Sequence, residues 1–491
     1  MTADPRHPIP LPALNDYLST HLSPTIFTPP ISSLKQFTFG QSNPTYLLSD
    51  SASPVPRRFV LRKKPPGKLL SKTAHSVERE YAVISALGQR GASALATVSE
   101  EQRQRQRRGL IPSTPHRGRA WIREFTHDDD DGNLPENCFP VPETYHLCTS
   151  PSSPVGTPFY IMQFVSGRQF LDPAMPSASS PGERRLLWRA AVFTLAHLHS
   201  LSVAALGLEG FGRPAGFYAR QVQTLRGVAE AQARTIAAAG TTDSSISSTG
   251  SSTGSSDGKI PHVDAILTFL SNPRFAPSDR SCLIHGDYKI DNLIFHPTEA
   301  RVIAVLDWEM STRGHPLSDL SNLMTPYISP PAGLEAEVEA QTQTALVDPE
   351  FAPFVPGKDG LPDREEVLDW YAGAQTHFQR SNTAPPPASS SQRSCWPSER
   401  ERRWGEAFGL FRNCVILHGI AARLTVGQAS SGRAAEYAAR LPGFAEVCWG
   451  SCRDIEEDAK GEVEEQREEE GEEQEEEEEQ GEAEEKERAR L

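Results

Sequence analysis

The sequence predicts an α+β chain in which a strand-rich N-terminal part precedes a mostly helical remainder. Three observations carry this. Phe59-Val60-Leu61-Arg62 and Phe159-Tyr160-Ile161-Met162-Gln163-Phe164 are short runs rich in aromatic and branched residues, the composition of strands. From Leu186 to Leu201, Leu187, Ala191, Leu195 and Leu198 fall on one helical face. Stretches rich in Ser, Gly, Pro or charge separate these segments, and no internal repeat is present.

In chain order, the strand at 59–62 comes first. Residues 74–87 then have helical spacing through Val77, Tyr81, Ile84 and Leu87. Residues 99–136 carry Arg103, Arg105, Arg107, Arg108, Arg117 and Arg119, followed by the acidic run Asp128–Asp131. This reads as a solvated insertion, because aromatic residues are not interleaved and the acidic run adjoins it, with a nucleic-acid surface as the alternative. The strand at 159–164 and the helix at 186–201 follow. A Ser/Thr/Gly linker spans 240–258, and a Pro/Ser stretch spans 384–398. A helix from Phe408 to Leu424 ends near Gly427. Trp188, Trp308 and Trp404 are read as core, and His197 and His199 as packed helix histidines.

The chain has 491 residues and a net charge of −15. Residues 455–491 hold 20 acidic and 5 basic residues, which leaves 44 of each in residues 1–454. The acidity thus belongs to a tail that cannot offset its ordering entropy by burial, and it is expected to be disordered. With no basic-then-apolar leader and no run of 18 apolar residues, a soluble cytoplasmic chain without a membrane partner is expected. Seven scattered cysteines suit a reducing compartment, and Cys448 and Cys452 lack the partner pair that zinc requires. Ala489-Arg490-Leu491 is a variant of the Ser-Lys-Leu peroxisomal address, which makes a peroxisomal location the alternative.

The chemistry concentrates in Leu283-Ile284-His285-Gly286-Asp287-Tyr288-Lys289-Ile290-Asp291-Asn292. The His-x-Asp and the Asn five residues after the Asp have the spacing of a kinase catalytic loop. Phosphoryl transfer needs a carboxylate to orient and deprotonate the incoming hydroxyl, the role expected of Asp287. Mg²⁺ needs oxygen ligands, which Asn292 supplies. Lys289 is placed to steady the γ-phosphate. Fifteen residues after Asn292, Val305-Leu306-Asp307-Trp308-Glu309 provides a second carboxylate after strand residues, and Asp307 is expected to be the other metal ligand.

His-Gly-Asp-x-x-x-x-Asn followed by Leu-Asp-Trp-Glu resembles the aminoglycoside phosphotransferase and choline kinase superfamily, over most of residues 25–450. More narrowly, it is similar to the kinase-like domain fused to certain acyl-CoA dehydrogenases and to its free-standing relatives. Phe39–Tyr46, Val60–Gly67, Val77–Tyr81, Gly207–Pro214 and Phe411-Arg412 through Gly427-Gln428-Ala429 carry that closer likeness. The resemblance implies a bilobal protein-kinase-like fold. Its nucleotide-binding lobe would span 10–163, with an insertion at 99–136. Its catalytic and substrate lobe would span 164–450, with insertions at 240–258 and 384–398, ahead of the acidic tail at 455–491.

The resemblance also assigns residues. Gly40, Gln41, Ser42 and Asn43 become the loop over the phosphates, whose backbone N–H groups approach the anion. Arg62 takes the slot of the strand lysine that pairs the phosphates; alternation favours it over Lys63. Glu80 is its expected ion-pair partner, and Met162, Gln163 and Phe164 form the hinge to the purine. His315 stands where the family's Gly-Asp-Pro has Asp, and Asp319 is expected to buttress the catalytic loop. The implied reaction is transfer from ATP or GTP with Mg²⁺ to a small-molecule hydroxyl on a hydroxy acid or hydroxyacyl-CoA. A kinase for choline, a sugar or an aminoglycoside is the alternative, as is a non-catalytic nucleotide-binding protein. A monomer or homodimer is expected.

Overall fold

The computed structural model describes residues 2–3, 9–37, 43–65, 76–88, 139–150, 152–240, 257–328, 351–382, 397–428 and 433–462. The insertion expected at 99–136 lies outside these residues, as do Gly40, Gln41 and Ser42. Two compact units are present. The first comprises the described residues of Met1–Phe217, Asp279–Tyr327 and Phe351–Trp396. The second comprises those of Tyr218–Ser278, Ile328–Glu350 and Pro397–Leu491.

The first unit opens with β1 (Thr2–Ala3), α1 (Leu11–His21), β2 (Ser33–Phe37), β3 (Thr45–Ser49) and β4 (Arg58–Lys63). A helix α2 over 77–88 follows, then β5 (Thr144–Cys148) and β6 (Phe159–Gln163). The strands form one antiparallel sheet in the order β1-β2-β3-β4-β6-β5. Side chains alternate across a strand, so the two faces of β4 differ. Phe59 and Leu61 join Leu14, Leu18, Tyr46, Leu48, Phe159 and Ile161 in a buried apolar cluster. Val60 and Arg62 therefore point to the opposite face, and Arg62 lies opposite Tyr160 in the ladder.

α3 (Pro181–Ser200) starts five residues before the sequence expectation, because Ser180 caps it and Pro181 sits in its first turn. Ser180 Oγ accepts from the Glu183 amide at 3.1 Å. Beyond it come β7 (Cys282–Ile284), β8 (Leu293–Phe295), β9 (Val302–Val305), β10 (Thr312–Gly314), α6 (Leu317–Leu323) and α7 (Arg364–Asn382). β7 pairs with β10 and β8 with β9, in two small antiparallel ladders.

The second unit holds α4 (Phe217–Gly240), α5 (Val263–Ser271), α8 (Glu399–Thr425), α9 (Ala434–Ala439) and α10 over 441–462. α8 begins nine residues before the expected Phe408. Ser398 and Glu401 form a reciprocal capping box there, beginning at the last residue of the expected 384–398 insertion. By length and composition α8 is the one described helix apolar enough to cross a membrane. Its Trp404, however, packs on Phe408 and Tyr218, and it carries a buried Arg402–Glu406 pair at 3.4 Å.

α10 corrects the start of the tail. The acidic segment was expected to be disordered from Ile455, yet the helix continues to 462. Cys448, Cys452, Ile455 and Ala459 repeat at helical spacing and are all buried, which binds the first turns of the acidic segment to the core. Arg403 of α8 pairs with Asp458 of α10. The five cysteines among the described residues are free and buried.

Candidate active site

The site is assembled in the first unit by two ladders and a buried carboxylate. β7 delivers His285, Gly286 and Asp287. Gly286 needs its missing side chain twice over: its φ is +86°, and a Cβ would stand 2.5 Å from Met310 O. Asp319, on α6 and fully buried, accepts the His285 amide at 2.6 Å through Oδ2 and the Gly286 amide at 2.8 Å through Oδ1. This is the buttress the sequence led us to expect. Burial opposes its charge, but His199 and the amides prevail and hold the carboxyl below its usual range.

His199 reaches Asp319 Oδ2 at 3.3 Å through Nε2, and its Nδ1 lies 2.7 Å from the Tyr371 hydroxyl. It is thus more than packing, whereas His197 is half-buried and stacks on Phe378. His285 accepts the Asp287 amide at Nδ1 (3.2 Å), so Nε2 carries the proton donated to Leu306 O (2.8 Å). His315 is buried and accepts the Leu317 amide at 3.2 Å, so it serves the turn into α6. Trp188, Trp308 and Trp404 are core residues, as read from the sequence.

The β8–β9 ladder sets the two candidate metal ligands side by side. Leu293 pairs with Val305, so Asn292 and Asp307 flank the same end of the hairpin, and the Leu306 amide donates to Asn292 O at 2.9 Å. Asn292 Nδ2 donates to Asp287 O at 2.8 Å and to Asp287 Oδ2 at 3.2 Å. Lys289 Nζ lies 3.6 Å from Asp287 Oδ2 and 3.1 Å from Asp291 Oδ2. Burial favours a neutral amine, but these carboxylates prevail and raise the lysine's proton affinity. Burial pushes the Asp291 carboxyl up. Asp307 adopts a left-handed conformation (φ 66°), uncommon for a non-glycine residue.

A second cluster joins the sheet to this hairpin. Arg62 Nε stands 3.1 Å from Glu80 Oε2, and Nη2 is 2.6 Å from Asp307 Oδ1 and 3.4 Å from Glu309 Oε2. Asn43 Nδ2 donates to Glu309 Oε2 at 3.3 Å. Lys63 points away and donates to Val155 O at 2.6 Å, while Lys64 pairs with Glu78, so the strand's alternation selects Arg62. Glu80 is fully buried; burial pushes its carboxyl up to about 7 against the pull of Arg62, with Asp307 and Glu309 adding to the rise.

Met162 is buried at the end of β6, Gln163 is exposed and pairs with the Glu143 backbone, and the Phe164 ring lies 4.3 Å from the Arg58 guanidinium. Glu309 and His199 are the participants that sequence reasoning missed. Glu309 stood inside the quoted Leu-Asp-Trp-Glu, but nothing local announces that it meets Arg62 and Asn43.

With this geometry in hand, comparison with known proteins gives a consistent result. A model of the phosphotransferase enzyme family, APH, matches residues 131–354. Over those residues, a little under half of the chain, it is similar to this phosphotransferase family. It is 38% identical over 298 residues to acyl-CoA dehydrogenase family member 11 of Gallus gallus, covering 61% of this chain and 28% of that one. Over 406 residues it is 31% identical to the probable acyl-CoA dehydrogenase IBR3 of Arabidopsis thaliana, covering 82% and 38%. The chain thus spans only about a third of the length of these curated relatives. Among solved structures, a protein of Ralstonia eutropha JMP134 whose name places it with the aminoglycoside phosphotransferases matches with a TM-score of 0.57 and 27% identity. That match covers 91% of this chain and 99% of the other. The antiparallel N-terminal sheet and helical C-terminal part agree with the phosphotransferase fold.

Proposed function

We propose that this chain is a small-molecule kinase that moves the γ-phosphoryl group of a Mg²⁺-bound nucleotide to an alcohol. The observation that carries the reading is the joining of Asp287, Asn292 and Asp307 to the Arg62–Glu80 pair within one unit.

The donor set fits Mg²⁺, which prefers hard oxygen ligands. Asn292 donates through Nδ2, leaving Oδ1 as its acceptor, and Asp307 meets Arg62 through Oδ1 only. Asp287, Asp291, Asp307 and Glu309 outnumber Arg62 and Lys289, so the site has negative charge for cations to neutralise. Bound there, Mg²⁺ would offset charge between the phosphates.

The residues divide the remaining work. Asp287 Oδ1 or Oδ2 receives the acceptor's hydroxyl proton as the oxygen–phosphorus bond forms and the bond to the departing nucleoside diphosphate breaks. Asn292 holds the Asp287 side chain, and Asp319 fixes the His285 and Gly286 amides, so the base is presented without reorganisation. Lys289, kept protonated, faces transferring negative charge. Arg62 is positioned for the nucleotide phosphates, with Asn43 at the end of the loop assigned to cover them.

Among acceptors, a hydroxy acid or hydroxyacyl-CoA is favoured by likeness to relatives named as acyl-CoA dehydrogenases. The test follows nucleotide consumption with Mg²⁺ over hydroxyacyl-CoAs, hydroxy acids, choline and aminoglycosides, with Asp287→Asn alongside. Acceptor-dependent turnover that falls by at least about 100-fold in the variant is expected. Failure of the wild-type chain to bind Mg²⁺-nucleotide overturns the kinase reading.

A further inference from the structure

Arg62 faces three carboxylates, and they are not equivalent. Its Nε meets Glu80, which is fully buried on α2, so this contact is an anchor. Its Nη2 is shared between Asp307 Oδ1 at 2.6 Å and Glu309 Oε2 at 3.4 Å. A small rotation about the anchored end therefore transfers the nitrogen from one carboxylate to the other. The planar fork permits this; a lysine ammonium, a single point of charge, could not stay on Glu80 while changing its second partner.

Asp307 is also the carboxylate assigned to the metal. A divalent cation on either of its oxygens would sit beside the guanidinium, and two positive centres a few ångströms apart repel strongly in a half-buried site. Phosphate oxygens relieve the repulsion by giving both cations a common anion. Glu309 is suited to hold Nη2 meanwhile, and it is itself held by Asn43 Nδ2 at 3.3 Å. Asn43 Oδ1 is buried with no hydrogen-bond partner among the described residues, so this end of the cluster keeps an acceptor for a donor that a ligand or metal-bound water would bring.

We propose that Arg62 makes metal capture at Asp307 conditional on the nucleotide's phosphates, with Glu309 as the alternate seat for its Nη2. Arg62 and Glu309 are in this sense positioning residues, and the inference rests on the nucleotide reading above. It predicts weak binding of metal alone and strong mutual reinforcement between metal and nucleotide, reciprocal in both directions.

The test is a titration of the full chain with Mn²⁺ alone, read by the paramagnetic resonance of free Mn²⁺. The double variant Arg62→Met/Glu80→Gln removes the guanidinium together with its buried partner and leaves no orphaned buried carboxylate. It should bind Mn²⁺ about tenfold more tightly than the wild type, because the nearer charge is the repelling one. Adding Asp307→Asn should abolish the gain, and Glu309→Gln alone should weaken Mn²⁺ binding by leaving Arg62 wholly on Asp307. Arg62→Lys, which keeps a charge beside Glu80, is the second route should the double variant fold poorly; it should also bind Mn²⁺ more tightly. The strengthening of ADP binding by Mn²⁺, corrected for the complex formed in solution, should shrink about tenfold in whichever variant gains metal affinity. Unchanged or weaker Mn²⁺ binding in the folded Arg62 variants, or a gain that survives Asp307→Asn, overturns the proposal. Because Mn²⁺ is read without nucleotide or turnover, this outcome is separate from failure of the kinase reading.

Discussion

At the scale of the residue, one guanidinium is shared among Glu80, Asp307 and Glu309, and the most buried of the three bears the consequence. Glu80 has an ordinary value of 4.5 in the unfolded chain and about 7 in the fold. Below 4.5 both states hold the proton, and the stabilisation from native protonation is complete. As pH rises from 4.5 to 7, the unfolded chain releases the proton while the native one keeps it, so stability falls through this window and levels off above it. A shift of this size corresponds to about 3 kcal/mol. Glu80→Gln does not titrate. Denaturant midpoints at pH 5 and pH 8 should therefore show the wild type losing most of this, about 2 kcal/mol or more, relative to the variant at the higher pH. An equal difference at both values would show that Arg62 keeps Glu80 ionised throughout.

At the scale of the element, α10 turns a composition boundary into a structural one. The charge pattern changes near Ile455, but the helix does not, because Ile455 and Ala459 continue the buried face of Cys448 and Cys452. A chain ending at Asp454 loses both apolar side chains and the Arg403–Asp458 pair; one ending at Glu462 keeps them. Burying an isoleucine contributes about 2 kcal/mol, so thermal melts should place the shorter chain several degrees below the longer. Equal melting temperatures would show that the last turns of α10 contribute nothing. The sequence made β4, β6, α3 and the catalytic loop legible, because alternation, helical spacing and the His-x-Asp motif are local. It located their caps less well: the Ser398–Glu401 signature was present but lay beside a Pro/Ser stretch that reads as linker. Arg62 and Asp307, 245 residues apart, could be joined only through the family likeness, and Glu309 and His199 not even so, since local pattern does not encode which distant side chain completes a buried pair.

At the scale of the whole molecule, charge is distributed unevenly along a chain whose body is balanced. Removing residues 463–491 leaves 48 acidic against 45 basic residues, so most of the net −15 goes with a segment outside the described residues. Interactions between exposed charges fade beyond about 10 Å at 0.1 M salt. If the tail is only a solubilising segment, its deletion should leave Mg²⁺-nucleotide affinity within about twofold at that ionic strength, while the isoelectric point rises and solubility near neutral pH drops. At about 0.01 M salt the screening length grows to about 30 Å, and a small gain in affinity for the anionic nucleotide should emerge on deletion. Calorimetry at both salt concentrations separates the two regimes. A large change that persists at 0.1 M would mean that the acidic segment contacts the site directly, as a competitor for the cations that the phosphates use.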